Sequence, residues 1–264
     1  MEAASASELR RLSYRSLFWL AARECLRVGR LWSQTVVAPV VSSLLFVIVF
    51  GLSLGDRIRE VSGFEYSVFI LPGLIAMAVF MAAYMNNSSS IFQARSDRYI
   101  DDILAAPMRP WQIDVGLTVG GVFRALLIGI ALTAIGAPIV GAPIEHPAVL
   151  ALASLSAILL FASLGVIVGI YAQSWDHHSF VSNLVIQPLA FVGGVFYSVE
   201  ILPSPWEQLS HANPLFYIVD AVRYGFLGTS DVPVAISLAI TASLAAAMFS
   251  WSVWLFRSGH KLKP

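Results

Sequence analysis

Residues 95–111 read RSDRYIDDILAAPMRPW. In a chain with only 12% charged residues, this island gathers Arg95, Asp97, Arg98, Asp101, Asp102 and Arg109 within fifteen positions. It lies between two long apolar runs, residues 68–91 and 113–138, each long enough to cross a hydrocarbon core of about 30 Å. The island is therefore the turn between two membrane crossings. Ile100, Ile103 and Leu104 recur at i, i+3 and i+4, one face of a helix. Asp101 and Asp102 follow Arg98 by three and four positions, close enough to pair with it on the other face. Pro107 and Pro110 end the helix. The pattern predicts a two-turn amphipathic helix at a membrane surface, a handle by which another protein moves this one.

Working outward, the same logic gives an all-α integral membrane chain. Hydrophobic residues make up 58% of it, against roughly 45–50% in soluble domains. The single cysteine, Cys25, excludes an internal disulfide or a multi-cysteine metal cluster. The first residues are polar, so no removable signal peptide is expected. Residues 8–32 are helical in pattern, with Leu17, Ala21, Cys25, Val28 and Trp32 on one face and Arg23, Arg27 and Arg30 on another. Such a helix lies in the interface, anchored by Trp19 and Trp32. Six spans are expected, at residues 36–54, 68–91, 113–138, 147–172, 180–197 and 232–256. Gly55, Asp56 and Arg57 begin a polar loop, and residues 173–179 form a short turn. The polar run Asn86, Asn87, Ser88, Ser89 and Ser90 closes the second span and is predicted to face other helices or a wet cavity.

Charge sets the orientation. Arg10, Arg11, Arg15, Arg23, Arg27 and Arg30 precede the first span, Arg95, Arg98 and Arg109 sit in the island, and Arg257, Lys261 and Lys263 follow the last. With six spans these fall on one side, which the positive-inside rule makes cytosolic, both termini included. Arg57, Arg59 and Arg223 fall on the other side.

The chain offers little catalytic chemistry. Its only lysines are Lys261 and Lys263, so no Gly-x-x-x-x-Gly-Lys-Ser/Thr phosphate loop exists. Asp176, His177 and His178 form the best metal-like cluster, but adjacent histidines rarely face one ion, and a structural or solvated role is favoured. Arg124 falls inside the third span, where a charge costs about 2.5–3.5 kcal/mol. Either it lines a polar path or pairs with an acid such as Asp114, or it snorkels to the headgroups. Its distance from Ile113, about 16 Å, favours the interior role. Gly116 with Gly120, and Gly165 with Gly169, allow close helix approach and are read as internal packing. Residues 198–228, rich in proline and aromatics, read as two short helices that dip into the outer leaflet and return. Irregular backbone at that depth must be buried in protein or line water.

One run carries a resemblance. Pro188, Gly193, Gly194, Phe196, Tyr197, Leu202, Pro203, Trp206, Leu209, Asn213, Pro214, Tyr217, Asp220 and Arg223 stand at spacings that closely resemble the signature of type-2 ATP-binding-cassette (ABC) exporter permeases. Asp101, Asp102, Ile103, Leu104, Ala105, Ala106 and Pro107 resemble the cytosolic coupling helix of that family, with a departure at Tyr99 and Ile100, where many members carry Gly-Thr. The likeness covers essentially the whole chain, and bacterial permeases for drug or lipo-oligosaccharide export are similar to it. The resemblance implies a transmembrane permease subunit in the bacterial plasma (inner) membrane, paired with a second permease copy, either identical or a paralogue. Each copy would dock on one of two ABC ATPase subunits, which hold the ATP and Mg. No cofactor and no nucleic acid is expected on this chain; lipid is. Arg98, Tyr99, Asp101, Asp102, Ile103, Leu104 and Pro107 would carry ATPase coupling, with Ile103 and Leu104 packed in the ATPase groove. Gly193, Gly194, Tyr197, Pro203, Trp206, Asn213, Pro214, Tyr217, Asp220 and Arg223 would build an outer gate. The first, second and fifth spans would line the path for an amphipathic drug, lipid or lipid-linked glycan. A secondary, ion-coupled transporter is the alternative, with Arg124 its only charge near the membrane centre. An intramembrane enzyme is weaker still.

Overall fold

The computed structural model describes residues 6–55 and 60–262, so Arg57, Arg59 and Lys263 lie outside the described residues. It is helical throughout apart from one tight hairpin. The elements are α1 (Ala6–Arg30), α2 (Ala38–Gly55), β1 (Glu60–Val61), β2 (Phe64–Glu65), α3 (Tyr66–Ser96), α4 (Ile100–Ala105), α5 (Pro110–Val140), α6 (Pro147–Tyr171), α7 (Trp175–Phe180), α8 (Gln187–Val192), α9 (Trp206–His211), α10 (Pro214–Leu227) and α11 (Val234–Ser258). Ser33–Val37 joins α1 to α2 as a π-helical turn, and Val181–Ile186 joins α7 to α8 in the same way. The hairpin pairs Glu60 with Glu65 and Val61 with Phe64. Ser62 and Gly63 both take positive φ, 52° and 82°, the turn that matches strand twist. That Ser-Gly turn had no counterpart among the sequence expectations.

Among the described residues, five helical stretches are long and apolar enough to cross a membrane: Ser33–Gly51, Tyr66–Ser96, Pro110–Val140, Pro147–Tyr171 and Val234–Ser258. The crossing expected at residues 180–197 takes a different form. Its helical run starts earlier, at Trp175, and ends at Val192, with the π-helical turns in its middle. Gly193 and Gly194, the latter at φ 82°, end it, so Tyr197 stands beyond the helix. Residues expected as a turn, Asp176 to Ser179, are instead the body of α7.

Helix α3 is the axis. Its apolar window is 78% buried, against 11% for the Ser33–Gly51 stretch and 17% for α11, which places those two on the periphery. It packs closest on α6. A Cβ on Gly165 would stand 2.5 Å from the Tyr84 carbonyl, and one on Gly169 would stand 2.7 Å from that of Ser88, so the two glycines are the seats on which α3 rests. Gly116 and Gly120 do the same for α1, against Leu20 and Glu24. Both glycine pairs thus pack within the chain.

Helices α3 and α5 each have 31 residues, about 46 Å at 1.5 Å per residue. That exceeds a hydrocarbon core by several turns. At one end the C-terminal part of α3 and the N-terminal part of α5 form a stem with α1 laid along it. Here Asn86, Asn87, Ser88 and Ser90 are buried. Asn87 donates to the Ala162 carbonyl at 3.1 Å, so the polar run faces helices and not lipid, as expected.

Candidate functional site

The stem end carries the island. Its base is an apolar cluster in which Ile100 and Ile103 meet Leu20 of α1, Ile91 of α3, Ile113 and Leu117 of α5, Val166 and Ile170 of α6, and Leu255 and Phe256 of α11. This one cluster ties the N-terminal helix, the island and the end of α11 to the same end of the bundle. The basic segments grouped by sequence are therefore neighbours in space.

Helix α4 is shorter than expected, six residues from Ile100 to Ala105. Arg98 lies before it at φ 61°, reversing the chain out of α3. From that turn Arg98 forms no ion pair with Asp101 or Asp102, so the expected pairing does not form. Ile103 is only 7% exposed and Leu104 is half-buried. The expectation that Ile103 projects into a partner's groove is thus corrected: its side chain anchors α4 to the bundle. What α4 shows to solvent is Asp101, Asp102, Ala105 and Pro107.

Several polar contacts fix the island's position. Arg95 donates to the carbonyls of Gly169 and Ala172, 3.2 and 3.0 Å, capping the C-terminal end of α6 where a cation is favoured. Gln112 accepts from the Arg109 backbone N–H at 2.8 Å and from the Ser13 hydroxyl at 2.6 Å, which closes the start of α5 and docks α1 there. The Arg23 guanidinium sits 5.0 Å from the Tyr99 ring centroid. Burial pushes the Tyr99 hydroxyl above its ordinary value while Arg23 pulls it the other way, so the ring under the cation is neutral. An open groove of about 820 Å³ runs between α1 and α4, bordered by Trp19, Arg23, Arg27, Arg30, Tyr99 and Asp102.

Sequence reasoning missed Glu24. The inward face of α1 is Leu20, Glu24 and Val28, rotated by about one position from the stripe read in the sequence. Glu24 is 1% exposed, and its carboxylate accepts from Arg23 at 2.8 Å, from Arg27 at 3.1 Å and from the Ser90 hydroxyl at 2.8 Å. Arg27 also donates to the Asn86 carbonyl. The available signal was an acid flanked by arginines at i−1 and i+3 within an apolar stripe. The exposed face of α1 carries Phe18, Trp19, Leu26 and Trp32, which suits an interfacial helix.

Arg124 is placed by the same stem. Its Nε donates to the Thr35 carbonyl at 2.8 Å, in the π-helical turn that leads from α1 into α2. That bond places Arg124 beside the junction of α1 and α2.

At the opposite end the signature residues knit residues 193–228 to the bundle. The Asn213 side chain accepts from the Leu215 N–H at 3.0 Å and donates to the Leu189 carbonyl at 2.5 Å, while Pro214 takes the first position of α10. Ser210 and Tyr197 both donate to the Val192 carbonyl, and Tyr217 to that of His211. These bonds use the orphan carbonyls at the ends of α8 and α9. A Cβ on Gly73 would stand 2.5 Å from the Val195 carbonyl, so α3 meets the turn backbone to backbone. Arg223, 2% exposed, donates to the Gly194 carbonyl and stands 4.1 Å from the Phe69 ring centroid. Asp220, fully buried, accepts from the Asp231 N–H at 2.7 Å and from the Ser237 hydroxyl at 2.8 Å. Asp231 in turn accepts from Val199 N–H and the Ser198 hydroxyl. Pro203 and Trp206 are exposed and lie outside this network. So does the Asp176 cluster, at the stem end: His178 turns inward against Phe92 and Trp175, and His177 is exposed.

Comparison with known proteins fits this geometry. The sequence profile of the ABC-2 type transporter family matches residues 15–227. The inner membrane transport permease YadH of Escherichia coli K12 is 39% identical over 254 residues, covering 94% of this chain and 98% of that permease. Nodulation protein J of Rhizobium leguminosarum bv. viciae is 28% identical, with 86% and 89% covered, and that of Rhizobium meliloti is 26% identical, with 88% and 90% covered.

Proposed function

The chain belongs to the ABC-2 type transporter family, and on that premise we propose that it is the permease half of an ATP-driven exporter. It is a membrane transport subunit; the drive, the partners and the direction belong to the proposal. In this reading the helical run Trp175–Val192 supplies a sixth crossing, which returns both termini to the side of the stem. The stem side is cytosolic, in keeping with its basic segments. Two copies of the chain, or one copy and a paralogue, enclose the path in a bacterial inner membrane. Two ATPase subunits, carrying ATP and Mg, dock on the stems. Residues 193–228 close the far end, and an amphipathic drug, lipid or lipid-linked glycan moves outward.

The observation that carries this reading is the build of α4. Its apolar residues are spent inward on the cluster that joins α1, α3, α5, α6 and α11. Its acids point outward, and no cation among the described residues is paired to them. A push on Asp101 or Asp102 is therefore transmitted to five helices at once. Charge at such a rim sets register and rate of association with a partner. The coupling role is thus shared: Asp101, Asp102 and Pro107 make contact, Ile103 transmits, and Arg98 and Tyr99 set the turn.

The test is a double charge reversal, Asp101→Lys with Asp102→Lys, in the permease expressed with its ATPase. The expected outcome is loss of ATPase co-purification and a fall in export of tenfold or more, on the order of one to two lost charge contacts, with insertion and melting unchanged. Full export by the reversed permease would remove the coupling role. Export from vesicles that contain no ATPase would replace ATP drive by ion coupling.

A further inference from the structure

Between α2, α3, α5 and the end of α8 lies a side pocket of about 320 Å³, within the ordinary range for small-molecule sites of roughly 300–1,000 Å³. Its walls are apolar, set by Phe46 of α2, Met77, Met81 and Met85 of α3, and Phe191 of α8. One charged side chain lines it, Arg124. Methionine walls adapt to guests of differing shape, which a lone cation does not explain.

The guanidinium is only partly used. Of its five N–H donors, the one on Nε is spent on Thr35. The Nη groups donate to no acceptor among the described residues and retain accessible surface. No acid lines the pocket. Glu24, which α1 turns toward α5 at Gly120, is already held by Arg23, Arg27 and Ser90. The cation thus has room and donors for an anion that the described residues do not supply.

Position says what kind of anion. Arg124 marks the stem end of the pocket, beside the junction of α1 and α2. From Met85 to Leu74 the apolar wall then runs along α3 away from the stem, a distance of about 16 Å. A molecule in the stem-side leaflet would bring its headgroup to the guanidinium and its tail to the methionines, with neither leaving its accustomed depth. A small soluble anion would gain one cation and face an apolar wall.

We propose that Arg124 and this pocket form the entry site for an amphipath with an anionic headgroup, such as a phosphate or carboxylate, drawn sideways from the stem-side leaflet. The proposal rests on the export reading and narrows its substrate class. Arg124 discriminates by headgroup charge, and the Met-lined wall accepts varied tails.

Binding is measured without ATP, on the full chain with its partner copy in phosphatidylcholine nanodiscs. The probes are fluorescent phosphatidic acid and phosphatidylcholine of the same chains, with inorganic phosphate as competitor. Wild type should prefer the anionic probe by on the order of tenfold, the scale of one charge-assisted contact. Arg124→Gln should bring the ratio to parity at an unchanged melting temperature. Arg124→Lys should keep part of it, and Met85→Lys added to Arg124→Gln should restore it from the neighbouring wall. A preference that survives Arg124→Gln would mean annular lipid only and overturn the proposal. So would equal competition by inorganic phosphate, or no restoration by Met85→Lys, which would assign the loss to the Thr35 tether. Because this readout needs no ATP, headgroup preference without ATP-driven movement would sink the export reading alone. Movement without headgroup preference would sink the entry site alone.

Discussion

The two ends of the bundle are built on opposite plans. At the stem, α4 turns isoleucines inward and acids outward. At the far end, α10 turns an acid and an arginine inward, Asp220 and Arg223, while Trp206 and Leu209 of α9 face outward. On the proposed topology, with the stem in water and the far end at membrane depth, the difference follows from what surrounds each end. A helix standing in water can be fastened by apolar burial and keep its charges for a partner. A broken segment at membrane depth exposes backbone N–H and carbonyl groups that nothing in the surroundings satisfies. Side chains must then reach in and bond them, as Arg223 does for Gly194, Asn213 for Leu189 and Asp231 for Val199. Buried charge serves as scaffold at one end, and exposed charge as contact at the other.

If this contrast is right, the costliest change at the stem is apolar. Ile103→Asp should destabilise by more than about 4 kcal/mol, since it buries an unpaired carboxylate and opens the cluster. Its readout is loss of the monodisperse peak after detergent extraction. Survival of a well-folded Ile103→Asp protein would mean that α4 is held by something other than its isoleucines. At the far end the costliest change is polar. Asp220→Ala should cost about 3–5 kcal/mol, because it strands the Asp231 N–H and Ser237 and removes the acid beside buried Arg223. Thermal melting in detergent measures this, and a fall no larger than that for an exposed residue would erase the contrast. Asn213→Ala sharpens it. Losing the cap costs about 1 kcal/mol, and the orphaned Leu189 carbonyl adds to that, so melting should fall measurably but less than for Asp220→Ala.

The legibility of the sequence differed between the two ends in the same way. Periodicity located α4, because Ile100 and Ile103 bury one face of a regular helix. It could not tell whether that face met this chain or another, and the structure turned it inward. At the far end no periodicity exists, and the spacing of Gly193, Asn213, Asp220 and Arg223 was readable only as a resemblance. The bonds of Asn213, Asp220 and Arg223 run mostly to backbone N–H and carbonyl groups, which carry no sequence signal. Glu24 was hidden for a related reason. An acid within an apolar stripe reads as a break in the stripe until Arg23, Arg27 and Ser90 are seen around it.

By itself the sequence determined the membrane class, the all-helical build and the presence of several long apolar helices. All of these follow from burial of apolar surface along single helices, a property of local composition. Only the tertiary structure decided which face of α1 and α4 is inside and which buried charges have partners. Those depend on contacts between residues far apart in the chain, as Ser90 is from Glu24 and Thr35 from Arg124, and no window of sequence contains both members of such a pair.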